Sequence, residues 1–270
     1  MGVIGAILGD IIGSQYEFST MRPYDLDWRN VPLFTDHCRI TDDSILTLAT
    51  KGAILEGEEF NIDPYYEKWY WIFGTKFPYG GYGGMFRRWL NSPSRKPYGS
   101  FGNGSAMRVS YIGEHYEDGS EVIKQAKLSA KVTHNSHQGI KGAIVTAACN
   151  SMVKFKNATK QDIYSYCLPY YGNKEVYKYP ISMPLKEMRK IYQWDVTCQG
   201  SVPAAIRCVL EADSYEEFIR NVMSLPCDMD TLGAIGGGIA EELFGLKDFQ
   251  VEDILKRYIK DPYLLDLTLK

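Results

Sequence analysis

The sequence has few features of secreted, membrane-spanning or metal-stapled proteins. Its 270 residues include six cysteines, but no two form a C-x-x-C pair, and only four histidines are present. This scarcity argues against a zinc finger or a disulfide scaffold, so we expect reduced thiols and a cytoplasmic location. An apolar run over residues 2–13 contains Asp10 and is too short to cross a bilayer. We therefore expect no membrane segment.

The charge of the chain is nearly balanced. Thirty Lys and Arg residues against 33 Asp and Glu residues give a net charge of −3, so we expect no nucleic-acid partner. Hydrophobic residues make up 45% of the chain, which is typical of a globular protein with a sizeable core. Aromatic residues are abundant, and we interpret them chiefly as core residues. The length predicts one domain over residues 1–270, which we expect to be monomeric.

Apolar residues recur at the three- and four-residue spacing of amphipathic helices, and the alternation typical of strands is hard to find. Glycine-rich segments at 80–84 and 99–104 are expected to form turns or to approach a ligand. The sequence thus predicts an all-α fold with a single globular domain, and the helix over 230–244 is predicted to be the last strong one. Helices are predicted over 42–55, from Asp63, from Ser120, over 138–153, from Thr159, from Ser201, from Ser214 and over 230–244.

Two short acidic segments, residues 41–44 and 228–231, each stand where a helix is predicted to begin. Either one alone is explained by helix capping, because Asp, Ser and Thr are favoured at helix N-termini. Together they offer four carboxylates and several hydroxyls, the hard oxygen ligands that Mg²⁺ or Mn²⁺ prefers. Four carboxylates brought together would repel one another, and two divalent cations would neutralise them. The sequence alone leaves open whether the two segments meet.

The order of these and other motifs resembles that of the ADP-ribosylglycohydrolase family. No single motif is compelling, but six in family order over about residues 5–245 are specific. The resemblance implies an all-α fold with two divalent cations, Mg²⁺ or Mn²⁺, in a central cleft. The motifs are residues 5–13 continuing to Glu17 and Phe18, then 41–44, 102–108, 133–135 with 139–143, 198–203 and 228–231.

The resemblance also implies roles for individual residues. Glu17 matches the family's N-terminal glutamate and is expected to be the general base, with metal-bound Asp228 as the rival for that role. Phe101 either stacks on adenine or packs against the protein. The metal ligands implied by the motif match are Thr41, Asp42, Asp43, Asp228, Asp230 and Thr231. The ADP-ribose contacts implied by it, with backbone amides meeting the diphosphate, are Gly102, Asn103, Gly104, Ser105 and His134, and Phe101 beside the motif is a further candidate.

The reaction that the resemblance implies is hydrolytic release of ADP-ribose from a protein or a small-molecule conjugate. ADP-ribosyl-arginine on a protein is our first candidate, and serine and acetyl linkages stay open because the metals would bind the ribose rather than the acceptor. Pro226 and Cys227 replace the usual pair of glycines before Asp228. Cys227 is then either a buried small residue or an extra ligand. This departure raises the alternative of a catalytically weak ADP-ribose-binding protein of the same fold.

Overall fold

The computed structural model describes residues 2–17, 27–60 and 62–270. Within these ranges the chain forms helices, and the only strand-like pairing is one isolated bridge between Gly102 and Thr197. The predicted all-α fold is therefore confirmed. The first eight helices are α1 (Gly2–Ser14), α2 (Asp42–Gly57), α3 (Asp63–Lys76), α4 (Gly84–Leu90), α5 (Gly104–Met107), α6 (Ser110–His115), α7 (Gly119–Lys131) and α8 (His137–Lys156). They are followed by α9 (Lys160–Tyr171), α10 (Leu185–Ile191), α11 (Cys198–Leu210), α12 (Tyr215–Met223), α13 (Met229–Phe244), α14 (Val251–Tyr258) and α15 (Pro262–Leu269).

The predicted helices are all present, with differences of a few residues at their ends. The expectation that α13 is the last strong helix is wrong, because α14 and α15 follow it and bury Leu255 and Leu264. Each of these two helices has only eight residues, which is too short to display a sustained helical period in the sequence. In the described part of the chain no helix combines the length and the apolar character needed to cross a membrane.

The helices α1 and α13 lie antiparallel with their backbones in direct contact. A Cβ atom added to Gly9 would stand less than 3.0 Å from three backbone atoms of Gly233, and one added to Gly5 would meet Gly237 equally closely. Gly13 faces the backbone of Asp230 in the same way. Only glycine allows two helices to approach so closely. The four-residue spacing of these glycines therefore fixes the register of α1 against α13.

Side chains from neighbouring helices hold the start of α1 in this position. The backbone amide of Val3 donates to Glu114 of α6 at 3.0 Å, and that of Gly5 donates to Glu241 of α13 at 2.6 Å. The Tyr215 hydroxyl donates to the Gly5 carbonyl. Free amides at a helix N-terminus attract carboxylates, so these contacts stabilise α1 at the end away from the acidic segments.

Tyrosines fill much of the interior, as the aromatic content predicts. Buried hydroxyls require partners, and the structure supplies them for several of these residues. The Tyr70 hydroxyl, for example, lies 2.9 Å from Thr50 Oγ1 and 2.6 Å from Ser129 Oγ. The tyrosines that are fully buried are Tyr66, Tyr70, Tyr171, Tyr179, Tyr192 and Tyr215.

The contact between α1 and α13 should be intolerant of a single methyl group. We expect Gly9→Ala to lower the free energy of unfolding by about 3 kcal/mol or more, because the Cβ meets rigid backbone rather than a movable side chain. Gly119→Ala is the matched control, since a Cβ at this helix start meets nothing within 4 Å. Urea unfolding measures both variants. A Gly9→Ala protein as stable as the control would contradict the described contact.

Candidate metal centre and substrate cavity

A cavity of about 380 Å³ lies where the two acidic segments meet the glycine-rich loops. A larger, shallower depression of about 530 Å³ lies beside Trp28 and Arg189, but its three glutamates are exposed and none belongs to a motif. Three residues expected at the site, Thr41, Phe101 and Ser105, do not line the cavity. The expected site residues that line it are Glu17, Asp42, Asp43, Gly102, Asn103, Gly104, His134, Asp228, Asp230 and Thr231.

Three helices each contribute one buried carboxylate to a single point at the cavity. Asp10 of α1, Asp43 of α2 and Asp230 of α13 can each offer an oxygen within 4.8 Å of the other two. Asp42 and Asp228 line the cavity beside them and are half-buried. The two acidic segments thus meet, and they are joined by Asp10, which lies in the first motif but was not predicted to have a role at the site. The signal for it was a lone carboxylate inside an apolar run, because an unpaired Asp is rarely buried.

Asp10 organises the start of α2. Its carboxylate accepts hydrogen bonds from the Thr41 amide at 2.9 Å, the Thr41 hydroxyl at 2.7 Å, the Ser44 amide at 3.1 Å and the Ser44 hydroxyl. The Thr41 hydroxyl also lies 3.2 Å from Asp43 Oδ2, and the shorter distance directs its hydrogen to Asp10. Thr41 is buried and does not line the cavity. Asp10 fastens the first acidic segment onto α1.

Helix capping explains only one residue of the two acidic segments. The Thr41 hydroxyl caps α2 by accepting from the Asp43 amide at 3.3 Å. Asp228 occupies the N-cap position of α13, but its side chain makes no capping hydrogen bond. It accepts instead from the side-chain amide of Asn103 at 3.0 Å. The carboxylates of Asp42, Asp43 and Asp230 lie beyond the cap position, so their clustering requires another cause.

The clustered carboxylates destabilise one another. Burial, together with the charges of neighbouring carboxylates, raises the pKa of Asp42, Asp43 and Asp230 well above the usual range. One oxygen of Asp43, Oδ1, is buried without any hydrogen-bond partner. Buried polar atoms nearly always have partners, so the unpartnered Oδ1 atom of Asp43 suits coordination to a cation. All donors here are oxygens, which suits a hard divalent ion such as Mg²⁺ or Mn²⁺.

Glu17 lies just past α1, and its side chain is only 7% exposed. Arg39 Nη2 donates to Glu17 Oε2 at 2.7 Å. Burial raises the pKa of Glu17 to about 7; the Arg39 charge opposes this shift, and the Asp10 and Asp228 carboxylates add to it. A carboxyl group with this pKa can exchange a proton near neutral pH. Phe18, the next residue of the same motif, lies outside the described residues.

The glycine-rich segment at 80–84 closes the acidic side of the cavity. Gly81 has a φ of +98°, which favours glycine, and a Cβ there would stand 3.0 Å from Glu17 Oε1 and 3.3 Å from Asp42 Oδ1. The Asp42 amide donates to the Gly80 carbonyl at 2.6 Å. The absence of a side chain at Gly81 therefore leaves room for Glu17 and Asp42 to lie side by side in the cavity lining.

The second glycine-rich loop also lines the cavity and contacts Asp228. The Asn103 amide donates to the Val196 carbonyl at 2.8 Å, and its side chain donates to both Asp228 and Ser201. Ser105 is fully buried, and its hydroxyl donates to the Gly139 carbonyl at 2.8 Å, so its side chain faces away from the cavity. The loop thus offers backbone and Asn103 to the cavity, but not the Ser105 hydroxyl.

The structure also shows where Phe101, His134 and Cys227, three residues considered in the sequence analysis, lie. Phe101 is 54% exposed, and its carbonyl accepts from the Cys198 amide at 2.9 Å. His134 is buried against the loop, with Nε2 and Cε1 3.3 Å from the position of a Cβ on Gly104. Cys227 is buried, and its thiol donates to the Val222 carbonyl. Cys227 does not line the cavity, which favours its interpretation as a small core residue.

Fold and site together define an all-α protein whose buried acidic centre could hold a metal ion. The family model described as ADP-ribosylglycohydrolase matches residues 1–256. The chain therefore belongs to the ADP-ribosylglycohydrolase family, and the family predicted from the motifs is confirmed. Membership makes it a hydrolase that acts on glycosidic bonds of ADP-ribose.

Comparisons with individual proteins agree with this assignment. ADP-ribosylhydrolase ARH3 of Mus musculus is 26% identical in an alignment 307 positions long, which covers 90% of this chain and 82% of the relative. The Homo sapiens protein of the same name is also 26% identical, and the match covers 90% of this chain and 84% of that relative. A solved ADP-ribosylglycohydrolase-related protein complex has a TM-score of 0.70 at 20% identity, covering 99% of this chain and 94% of that chain. At that identity the structural likeness concerns the fold alone.

Removing the Asp43 carboxylate should stabilise the metal-free protein and abolish the stabilisation that Mn²⁺ gives. Because the pKa of Asp43 is raised in the folded state, the carboxyl's contribution to stability is present at low pH and is lost as pH rises through that pKa. We therefore expect Asp43→Asn, stripped with EDTA at pH 8, to have a higher free energy of unfolding than the parent. Urea unfolding with and without Mn²⁺ measures this.

Mn²⁺ should stabilise the parent, since it binds the folded state, and should not stabilise Asp43→Asn. Asp248→Asn at an exposed position is the control and should behave as the parent does in both conditions. Equal stabilisation of Asp43→Asn and the parent by Mn²⁺ would exclude Asp43 as a ligand.

Proposed function

We propose that this protein is a divalent-cation-dependent hydrolase that releases ADP-ribose from ADP-ribosyl-arginine on proteins. The observation that carries the proposal is the meeting of Asp43 and Asp230, from sequence segments nearly two hundred residues apart, beside one cavity. Capping does not account for the position of either carboxylate. Family membership supplies the class of reaction, and the site supports the dependence on cations.

The residues proposed to hold the cations come from both acidic segments. Bound Mg²⁺ or Mn²⁺ would act as a Lewis acid on the ribose hydroxyls and lower the pKa of a bound water. The Thr41 hydroxyl gives its hydrogen to Asp10, so an oxygen lone pair can still face a cation. The proposed ligands are Thr41, Asp42, Asp43, Asp228, Asp230 and Thr231.

Glu17 is proposed as the general base. Its pKa of about 7 suits a group that takes a proton from water, and it shares a cavity wall with Asp42. Asp228, the rival, already accepts a hydrogen bond from Asn103. Burial raises the pKa of Asp228, and the Asn103 hydrogen bond opposes this shift and holds the carboxylate in one orientation, which favours Glu17. Cleavage develops positive charge on the ribose, and carboxylates on the wall would stabilise it.

The ADP-ribose moiety is proposed to lie along the loop that contains Gly102, Asn103 and Gly104, with His134 behind it. Phe101 is exposed enough to stack on adenine, whereas the buried Ser105 would act only through its backbone. The acceptor preference rests on charge. Among the described residues, the lining has the five carboxylates of Glu17, Asp42, Asp43, Asp228 and Asp230 and one cation, Arg108, and only Glu17 among the five is paired with an arginine, Arg39. A wall this acidic complements a cationic guanidinium acceptor better than a serine hydroxyl.

A monomer in a reducing compartment is the proposed setting. All six cysteines are buried and unpaired, which suits the cytoplasm, where thiols stay reduced. Size-exclusion chromatography with light scattering tests the oligomeric state.

The direct test of the proposed function is release of free ADP-ribose from three substrates that differ only in linkage: arginine, serine and O-acetyl. Each is assayed with EDTA-stripped enzyme, before and after addition of Mg²⁺ or Mn²⁺. We expect release only after cation is added, and fastest release from the arginine linkage. Fastest release from another linkage would reject the arginine preference alone. Full activity in verified metal-free enzyme would reject cation dependence, and ADP-ribose binding without release would indicate a catalytically weak binding protein.

Replacing the proposed base should reduce turnover without weakening binding. We expect Glu17→Gln to lower kcat by about 10²–10⁴-fold, because the amide cannot accept a proton at neutral pH. In the parent, kcat/KM should rise with pH as Glu17 loses its proton, and the charge of bound cations should lower the pKa of Glu17 and place this rise below pH 7. The rise should disappear in Glu17→Gln. Glu59→Gln, at an exposed position, is the control. Near-parental turnover would transfer the role to Asp228, and loss of metal affinity would make Glu17 a ligand.

A further inference from the structure

Arg108 is a fully buried cation at the inner end of the cavity. The oxygens that accept from its guanidinium are neutral: Nη2 donates to the Ser129 carbonyl and to Thr133 Oγ1, both at 2.9 Å. Its Cζ atom lies 4.1 Å from the centre of the Tyr70 ring, and Nε and Nη1 have no hydrogen-bond partner. Burying a charge in this way is costly, so a role for the charge should be sought among its contacts.

The contact that leads to the cavity runs through Thr133. Its Oγ1 atom lies 2.7 Å from Nδ1 of His134, the neighbouring residue. A hydroxyl has one hydrogen to donate, and here its oxygen already accepts from Arg108. When the hydroxyl hydrogen is directed to His134 Nδ1, that atom is the bare nitrogen of the ring.

The ring of His134 is held neutral, which allows only one of its nitrogens to carry hydrogen. Burial, followed by the charge of Arg108, lowers the pKa of His134 well below its usual range. With Nδ1 bare, the hydrogen resides on Nε2. That atom faces the loop: it is 3.6 Å from the position of a Cβ on Gly102 and 3.3 Å from that on Gly104. Glycine at both positions leaves Nε2 uncovered toward the cavity.

We propose that Arg108 and Thr133 are positioning residues that fix His134 as the Nε2–H tautomer, so that a neutral imidazole presents one hydrogen-bond donor to an anionic group in the cavity. The inference rests on the proposed function for the identity of that group, the diphosphate of ADP-ribose. Arg108 acts through Thr133 rather than by touching the ligand, because its guanidinium is fully buried. Thr133 connects the two residues, since its hydroxyl accepts a hydrogen bond from Arg108 and donates one to His134.

A rival arrangement is defined by Tyr98. Its ring lies 5.7 Å from that of His134, and its phenol neighbours Thr133. If Thr133 gave its hydrogen to the Tyr98 oxygen, Nδ1 of His134 would have to carry the hydrogen instead. The two arrangements therefore predict opposite tautomers, which can be distinguished directly.

The test is a long-range ¹H–¹⁵N spectrum of the full chain labelled at its four histidines, with the His134 signals assigned by their loss in His134→Gln. Protonated and bare ring nitrogens have well-separated ¹⁵N shifts, so the tautomer is read without any ligand. We expect the parent to be Nε2–H. Thr133→Val removes the hydroxyl at nearly constant shape and should raise the Nδ1–H population at least about fivefold, the equivalent of one hydrogen bond.

Two matched variants separate the hydroxyl from the fold. Thr133→Ser keeps the hydroxyl and should restore the parental tautomer, and Tyr98→Phe removes the rival acceptor and should leave it unchanged. If Thr133→Val does not fold, as judged by circular dichroism, Thr133→Ala removes the same hydroxyl with less bulk. An Nδ1–H parent, or a parental tautomer in the variant that lacks the hydroxyl, would overturn the proposal.

Calorimetric titration with free ADP-ribose in the presence of Mg²⁺ tests the consequence for binding. We expect the Kd of Thr133→Val to rise by about 3–10-fold and that of Thr133→Ser to match the parent. The KM should rise in parallel while kcat stays within about twofold, because binding rather than chemistry is affected. A parent that shows the Nε2–H tautomer but does not bind ADP-ribose would reject the proposed ligand and leave the tautomer assignment intact. An unchanged Kd despite a changed tautomer would overturn the role of His134 as the donor.

Discussion

The backbone contact between α1 and α13 determines where the acidic side chains of this protein lie. Asp10 follows Gly9, which touches Gly233, and Asp230 stands one turn before Gly233 on the facing helix. Because two helices in direct backbone contact cannot slide, the two carboxylates are held within about one helical turn of each other along the helix axes. Asp10 then binds the start of α2 through Thr41 and thereby brings Asp43 to the same point. One register between two helices thus brings together carboxylates from three segments of the chain.

The clustering of buried carboxylates lowers the stability of the folded protein. Carboxylates that are buried together raise one another's pKa, and the orphaned Oδ1 of Asp43 adds an unsatisfied acceptor. Folding can maintain such a cluster because α1 is anchored at its other end by Glu241 and Tyr215. Natural proteins accept local destabilisation chiefly at functional sites. The electrostatic conflict is therefore the strongest physical reason to expect cations at this point.

Motif order predicted the family and the all-α fold, and most of the expected site residues line one cavity, because short segments such as 41–44 and 228–231 carry their chemistry in adjacent residues. Asp10 escaped prediction since its role depends on which helix faces α1, and a single sequence gives no such pairing. Ser105 and Thr41 show a related limit: residue type indicates a hydroxyl, but only tertiary packing decides what it bonds. The short helices α14 and α15 lacked enough turns for a recognisable period.

The central claim is that the meeting point of α1, α2 and α13 binds divalent cations. Crystals of the full chain soaked in Mn²⁺, with anomalous difference density recorded at a wavelength where manganese scatters anomalously, test it most directly. The account predicts two peaks beside the cavity, with carboxylate oxygens of Asp43 and Asp230 within coordination distance of manganese, about 2.0–2.6 Å as for Mg²⁺ and Ca²⁺ sites. No peak at this point in crystals that bind Mn²⁺ elsewhere would contradict it.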